Sequence, residues 1–411
     1  MKPVSYHLLL LLLSLTAIAV PTSISATKIG ITISSPASIS GSVPISPERI
    51  VAKVVSMKIK AVRLLEPNPA MMRAFANTNV SLFLSIPNPL VPLLASDRSF
   101  ALRWVYREVL PFHPRTKISV ISVGNDVISS YSPDARPPLF LLPAMQNVQR
   151  SLAHLRMDKI SVSTTFSFTN TIPMAFPPSS ARFQQPNGEL IIKPILKFLE
   201  RTNSSFIINL HPYQIYRSSF LIPLGFALFG NSPLYFRDDL KSGVRYDNLF
   251  DMMVDAVISS MAAMGHKNLP LIVAATGWPS SGINASEVDA TLLYSEMFLE
   301  ALITRLRYGR GRRLRKEGVS EVYIFELVDT KQGVLNWGLV NDDMTNKYRS
   351  GLPGDNTNTN LQRLELILVL AVGACVLIVF IFVAHKFRYY LILLFGCLEL
   401  AHFVGYWLRF T

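Results

Sequence analysis

The amino-acid sequence predicts an α/β protein, a (β/α)8 TIM barrel followed by a C-terminal transmembrane helix. Two observations predict the barrel: short β-rich runs alternate with helix-like segments between residues 28 and 350, and most of these runs are apolar without a break. Unbroken apolar runs are typical of parallel strands that are buried on both faces. The third observation is the uncharged run Leu366–Ala384, because a helix of about 20 apolar residues crosses a bilayer.

The first 26 residues have the three parts of a secretory signal peptide. A lysine near the start is followed by the apolar core Leu8–Val20 and then by small residues up to Ala26. This core is too short for a comfortable membrane span, so we predict a signal peptide at 1–26 and a secreted barrel at 28–350. An uncleaved N-terminal anchor is the alternative. Glycosylation sequons, which agree with secretion, begin at Asn79, Asn203 and Asn284.

Eight runs are the candidate barrel strands, and helix-like segments separate them. They are 29–33, 61–66, 81–87, 119–126, 161–167, 206–213, 269–279 and 321–329. The helix-like segments include 47–57, 99–109, 141–155 and 246–264. Eight strands with helical crossovers fit the usual size of such a barrel, about 250 residues or more. In this fold the functional side chains stand at the C-terminal ends of the strands.

The C-terminal end of the chain is predicted to lie in the membrane. A polar linker at 351–363 leads into the predicted transmembrane helix at 364–384. The tail at 385–411 begins with basic residues, so the positive-inside tendency predicts the barrel on the outer cell surface, facing the cell wall. The apolar remainder of the tail is a candidate second membrane segment. A lipid-anchor signal is the alternative to the helix, although its hydrophobic end should close the chain.

Composition narrows the range of partners. The formal net charge is +13, and much of the excess comes from the basic run RLRYGRGRRLRK at 305–316. No nucleic-acid motif or set of stacking aromatics accompanies this run, so we predict no nucleic-acid partner. The only cysteines are Cys375 and Cys397, in the C-terminal apolar region, and the histidines are scattered. The sequence therefore predicts no disulfide in the barrel, no metal site and no cofactor.

Carboxylates, amides and aromatic residues lie at the predicted strand ends. They are Glu66, Asn125, Asp126, His211, Tyr213, Ala275, Trp278 and Asp329. Aromatic rings cover the apolar faces of sugars and polar groups take the hydroxyls, so such a set suits a cleft for a sugar polymer. Each residue alone could be an ordinary strand-end cap. Their joint position favours a carbohydrate site.

A series of sequence blocks points to a known family. The blocks KIGITI, AVRLLEPNPAMMRAFANTNV, ISVGND, IINLHPY, TGWPSSG, VYIFELVD and NWGLV follow in this order between residues 28 and 348. In these blocks the chain resembles glycoside hydrolase family 17, the plant glucan endo-1,3-β-glucosidases. The resemblance implies the barrel, a secretory location, chemistry without a cofactor and a cleft for β-1,3-glucan, which in plants means callose.

The resemblance also implies a retaining mechanism with two glutamates, one a proton donor and one a nucleophile. The acid/base position is Asp126, whose carboxyl is withdrawn by about 1.5 Å relative to glutamate. The nucleophile position is Ala275, whose methyl group cannot attack carbon. Groups that match the family and could hold a glucan are Asn125, Phe176, Tyr213 and Trp278.

Other departures from the family remove further polar groups. Polar or acidic groups of the family are replaced or missing at Thr32, Ile33, Leu65, Thr330 and the stretch Val334–Asn336, and His211 replaces an aromatic residue. Three hypotheses follow. In the first, the chain recognises β-1,3-glucan with impaired or absent hydrolysis. In the second, it is an active hydrolase in which Asp126 works with a substitute carboxylate such as Glu66, or with a water positioned by Glu66 or His211. In the third, it is an extracellular interaction scaffold that binds no glucan.

Overall fold

A computed structural model describes residues 27–34, 45–128, 138–284, 286–308, 318–330 and 335–354, and the isolated helical positions 396 and 399. The chain divides into two units, Met1–Gly354 and Asp355–Thr411. The predicted signal peptide and transmembrane helix, and the tail apart from those two positions, lie outside the described residues. No helix within the described ranges is long and apolar enough to cross a membrane.

Eight parallel strands close into a barrel, which confirms the (β/α)8 prediction. They are β1 (Lys28–Ile33), β2 (Ala61–Leu64), β3 (Ser81–Ile86), β4 (Lys117–Asn125), β5 (Ser161–Ser167), β6 (Phe206–Asn209), β7 (Leu271–Thr276) and β8 (Glu321–Ile324). Each strand pairs with its neighbours in chain order, and β1 closes the circle on β8 with Lys28 opposite Glu321. The closed circle brings all the C-terminal strand ends together at one opening.

All eight predicted strands are present, but several end before the predicted boundary. The predicted run 206–213 ends as a strand at Asn209, because Pro212 begins the next helix, where a residue without a backbone N–H is tolerated. The runs predicted at 61–66 and 321–329 end at Leu64 and Ile324. Of the residues that the sequence analysis assigned to these strand ends, Glu66, His211 and Asp329 therefore lie beyond the strands and Tyr213 lies in the next helix.

Helices cover the outside of the barrel. They are α1 (Pro47–Ser56), α2 (Pro69–Ala74), α3 (Val91–Ser96), α4 (Arg98–Glu108), α5 (Leu141–His154), α6 (Phe168–Thr171), α7 (Lys193–Arg201), α8 (Pro212–Ser218), α9 (Leu224–Ala227), α10 (Leu249–Ala263) and α11 (Leu292–Tyr308). Side chains cap several of them: Asn248 Oδ1, for example, accepts the Asp251 N–H at 2.8 Å at the start of α10. Two small antiparallel sheets pair 237–239 with 244–246 and 281–282 with 335–336.

Small and large side chains alternate inside the barrel. A buried interior cluster fills the lower part: Ala61, Phe83, Val120, Ile207, Ile272, Ala274 and Tyr323. The Tyr323 ring lies against Gly30, where a Cβ atom would be only 2.6 Å from the ring. The glycine in β1 is thus needed to admit the tyrosine. The larger apolar cluster lies between the strands and the helices and fixes the strand ends that carry the site.

Candidate active site

A buried arginine ties several strand ends together. Arg63 on β2 is 1% exposed, and its Nη1 donates to Asn209 Oδ1 at 3.0 Å and to the Ala274 carbonyl at 2.9 Å. Its Nη2 donates to Asn125 Oδ1 at 2.9 Å, and Asn209 Nδ2 donates to the same oxygen at 3.0 Å. The arginine therefore joins β2 to β4, β6 and β7. We define the barrel mouth as Arg63, Ser85, Asn125, Asn209 and Ala275.

The backbone turns sharply where β4 ends. Gly124 has a φ of +78° and Asp126 one of +54°, both in the left-handed region that favours glycine. Asn88 holds the turn from the side, because its Oδ1 accepts the Asn125 N–H at 2.8 Å and its Nδ2 donates to the Asn125 carbonyl at 3.0 Å. This turn aims the Asn125 side chain at Arg63 and leaves Asp126 directly beyond the strand.

Asp126 has the protonation behaviour that a general acid requires. Burial raises the pKa of its carboxyl to about 6, against the opposing effect of hydrogen bonds from the Asn170 side chain and the Ser167 backbone. The Asn170 Nδ2 donates to Oδ2 at 2.9 Å, whereas the buried Oδ1 has no hydrogen-bond partner among the residues that the structure describes. A carboxyl with this pKa keeps its proton in mildly acidic solution.

Ala275 lies in β7 directly beside Asn209, its partner in the register with β6. The residue is 3% exposed, and its carbonyl accepts the Leu210 N–H at 2.8 Å. The turn that follows is tight: a Cβ atom on Gly277 would lie 2.6 Å from the Phe325 carbonyl oxygen. The strand therefore reaches the mouth, but it presents a methyl group there.

An aromatic group borders the mouth at the ends of β6 and β8. The His211 ring lies 5.8 Å from that of Phe325 and 5.2 Å from that of Trp337. Burial and then the charge of Arg63 lower the pKa of His211 to about 4, so its imidazole is neutral at physiological pH. Its buried Nδ1 has no hydrogen-bond partner in the described structure. His211 is therefore an uncharged polar group next to a cation.

Two of the predicted sugar contacts are held inside the protein. Tyr213 and Trp278 are 1% and 2% exposed, with ring centroids 4.9 Å apart. The Tyr213 hydroxyl donates to the Glu287 carboxylate, and Trp278 Nε1 donates to the Asp289 carbonyl at 2.8 Å. Both rings thus buttress the loop that follows β7. Their predicted contact with a sugar remains a prediction.

The other predicted positions are placed as follows. Asn125 is in the mouth, Phe176 is half-buried, and Glu66 is exposed two residues beyond β2. The three sequon asparagines, Asn79, Asn203 and Asn284, are exposed on the surface, where a glycan could be attached. Glu66 was predicted as a possible second carboxylate at a strand end, and that role remains a prediction.

The sequence analysis overlooked a buried carboxyl next to the site. Glu326, just after β8, is 1% exposed, and the Ser34 hydroxyl donates to its carboxylate. Burial raises its pKa to about 7; the Ser34 hydrogen bond opposes this shift and the charge of Asp329 adds to it. The sequence feature that could have indicated this buried carboxyl is a glutamate inside the apolar run VYIFELV. Arg63 could have been found in the same way, as a charged residue inside the apolar run AVRLL.

Comparison with known proteins decides the family. The model of the family "Glycosyl hydrolases family 17" matches residues 40–350. The chain belongs to this family. Glucan endo-1,3-beta-glucosidase 2 of Arabidopsis thaliana is 38% identical over 302 residues, which are 72% of this chain and 59% of the relative. Glucan endo-1,3-beta-glucosidase 11 of the same plant is 34% identical over 363 residues, 86% of this chain and 82% of the relative.

Two solved structures have the same fold. CJP38, a β-1,3-glucanase and allergen of Cryptomeria japonica pollen, is 31% identical, with a TM-score of 0.69 over 79% of this chain and 99% of its own. A plant β-glucan endohydrolase is 28% identical, with a TM-score of 0.68 over 78% and 99%. The chain spans about three-fifths of the length of the first curated relatives that it matches. It is thus of the glucan endo-1,3-β-glucosidase type in family and fold.

Proposed function

We propose that this family 17 protein recognises β-1,3-glucan, callose in a plant, and that its retaining hydrolysis is impaired or absent. The observation that carries the proposal is Ala275: in the register of β7 it stands at the mouth, at the position that corresponds to the family's nucleophile. Loss of a nucleophile removes orders of magnitude in rate, with only positioning effects remaining.

Support for the glucan comes from the relatives and from the polar groups at the mouth. The curated relatives are glucan endo-1,3-beta-glucosidases by name, and a solved relative is a β-1,3-glucanase. Asn125 and Asn209 have fixed amides, Asp126 has a buried oxygen without a partner among the described residues, and Phe325 is a half-buried ring. Such groups bind sugar hydroxyls and one sugar face.

A second candidate is residual hydrolysis that depends on Asp126, since its raised pKa provides a proton donor. An inverting reaction also needs a second carboxylate about 6.5–9.5 Å from the first. Glu66 and Glu326 are the glutamates nearest in sequence to the ends of β2 and β8. Of the two, Glu66 is exposed, whereas Glu326 is engaged by Ser34.

We further propose that the barrel is secreted and anchored at the plasma membrane with its cleft towards the cell wall. The proposal is supported by the signal-peptide pattern at 1–26, the uncharged run Leu366–Ala384 and the three exposed sequon asparagines. Fractionation of cells that express the tagged chain, with glycosidase treatment of the product, tests it. A soluble, unglycosylated product would contradict it.

The test of the site uses the full-length chain in detergent and the soluble β-1,3-glucan laminarin. Reducing-end release is measured for wild type, Ala275→Glu, and Ala275→Glu with Asp126→Glu. Ala275→Gln is the matched control, because it has nearly the same shape as glutamate and no carboxylate. Binding of a labelled β-1,3-gluco-oligosaccharide is measured in parallel.

We expect wild type and Ala275→Gln to bind the oligosaccharide without cleaving laminarin, and the double variant to cleave it. Restoring Glu at position 126 advances the acid by about 1.5 Å, a misplacement that can be worth about 100-fold in rate. Cleavage by wild type would favour the second candidate. Absence of binding in all four proteins would favour an interaction scaffold that does not bind glucan.

A further inference from the structure

The positive charge of Arg63 is buried without a counter-ion. Its three hydrogen-bond acceptors are the Asn209 amide, the Ala274 carbonyl and the Asn125 amide, all of which are neutral. It makes no ion pair with a carboxylate of the described residues. Isolating a buried charge in this way is expensive, because its hydration is lost and no opposite charge replaces it. Burial accordingly lowers the pKa of Arg63 to about 9.

The unused donors of this guanidinium lie on one edge. A guanidinium has five N–H groups in a fixed planar fork. Three are used: both on Nη1, towards Asn209 and Ala274, and one on Nη2, towards Asn125. The Asn125 and Asn209 amides are bonded to each other, so their two oxygens occupy the edge between Nη1 and Nη2. The remaining donors are Nε–H, which is buried and has no partner in the described part of the chain, and the second Nη2–H beside it.

These two N–H groups point in parallel, which is the arrangement that a planar carboxylate accepts with both oxygens. Three other buried polar atoms at C-terminal strand ends have no hydrogen-bond partner among the described residues: Ser85 Oγ on β3, Thr276 Oγ1 on β7 and His211 Nδ1 after β6. All four residues stand at or just beyond strand ends. A buried cation and hydroxyl groups without partners point to a polar anionic ligand, since buried polar groups are otherwise almost always hydrogen-bonded.

We propose that the barrel mouth is a carboxylate-binding site, in which the two oxygens of a carboxylate accept Nε–H and Nη2–H of Arg63. The carboxylate is that of a small carboxylate ion or of a uronic-acid sugar, which share this chemistry. The site shares the barrel mouth with the proposed recognition of β-1,3-glucan but takes a different ligand, because that polymer is neutral. Its occupant supplies the negative charge that position 275 lacks.

The test measures the thermal midpoint of the full-length chain in detergent as sodium formate is added, with sodium chloride at equal ionic strength as the reference. Binding to the native state alone raises the midpoint in a saturable way. We expect formate to raise it beyond chloride in wild type and in the small neutral variant Ala275→Ser. In Ala275→Glu the apparent affinity for formate should fall by about tenfold or more, because an internal carboxylate then lies one peptide unit from an acceptor of Arg63.

Arg63→Met should lose the formate response altogether. If this variant does not fold, the comparison of Ala275→Glu with Ala275→Ser still tests the proposal. Glucuronate and glucose at equal concentration then distinguish the sources. Displacement of formate by glucuronate alone identifies a uronate, and a response to formate alone identifies a small carboxylate. The proposal is overturned if formate acts no more strongly than chloride, or if Ala275→Glu responds as wild type does.

Discussion

Glu326 provides a prediction whose magnitude follows from the structure. Replacing Glu326 with glutamine removes a buried titrating group and keeps an oxygen that can accept the Ser34 hydroxyl. The pKa of Glu326 rises from its ordinary 4.5 to about 7 in the folded chain. Each tenfold change in an ionisation constant corresponds to about 1.4 kcal/mol, so ionisation of this carboxyl removes roughly 3 kcal/mol from the free energy of unfolding.

The sign of the pH dependence follows from the direction of that shift. Between pH 4.5 and 7 the folded chain holds the proton that the unfolded chain releases, so stability due to this group is complete below 4.5. That contribution is lost as the pH rises through 7. In Glu326→Gln the loss is absent. The variant should therefore match wild type near pH 4.5 and exceed it by about 3 kcal/mol at pH 8.

The assay is urea unfolding of wild type and Glu326→Gln at a series of pH values from 4.5 to 8. Glu66→Gln is the matched control, because it makes the same chemical change at an exposed glutamate. The reasoning is refuted if Glu326→Gln has the same slope of stability against pH as wild type. It is equally refuted if the variant is less stable than wild type at pH 8.

Three further predictions concern the strand ends. Gly277→Ala should destabilise the fold by about 1–3 kcal/mol, measured by urea unfolding, because its Cβ atom would lie 2.6 Å from the Phe325 carbonyl oxygen; unchanged stability would mean that this turn is not tight. In an Ala275→Glu background, laminarin hydrolysis should fall as the pH rises through about 6, when Asp126 loses its proton, and Asp126→Asn should abolish that limb of the rate profile; a limb that persists would assign it to another group. Asn88→Ala should lower the free energy of unfolding by about 0.5–1.5 kcal/mol, because it removes two hydrogen bonds to the Asn125 backbone; an equal loss in Asn79→Ala, at another exposed asparagine, would mean that these two bonds have no particular effect.

The barrel could be predicted from sequence because its signals are local. Unbroken apolar runs mark strands that are buried on both faces, and all eight runs are strands in the structure. Strand ends were less predictable, because they depend on what the loop does next: Pro212 starts α8 and draws His211 and Tyr213 out of β6. The hydrophobic pattern of the sequence does not predict where a strand ends and a helix begins within one apolar run.

The candidate site could be predicted only in part, for a physical reason. Asp126 and Ala275 were found through their positions in family blocks, but Arg63, Asn209 and Glu326 act through contacts between residues distant in the chain. Arg63 and Asn209 are separated by 146 positions and meet only because the barrel closes. The burial of Trp278 likewise depends on the loop that carries Asp289, which no pattern around TGWP specifies.

Ala275→Glu separates the two proposals about the mouth, because it acts on them in opposite directions. For glucan chemistry the new carboxylate supplies a nucleophile, so hydrolysis should rise, most of all with Glu at position 126. For anion binding the same carboxylate cancels the charge of Arg63, so the formate response should fall. A variant that loses the formate response without gaining hydrolysis would support the anion site and count against a preserved glucan cleft. A gain of hydrolysis with an unchanged formate response would support the glucan cleft and count against the anion site. The two measurements can differ because hydrolysis depends on a nucleophile at position 275, whereas formate binding depends on the net charge near Arg63.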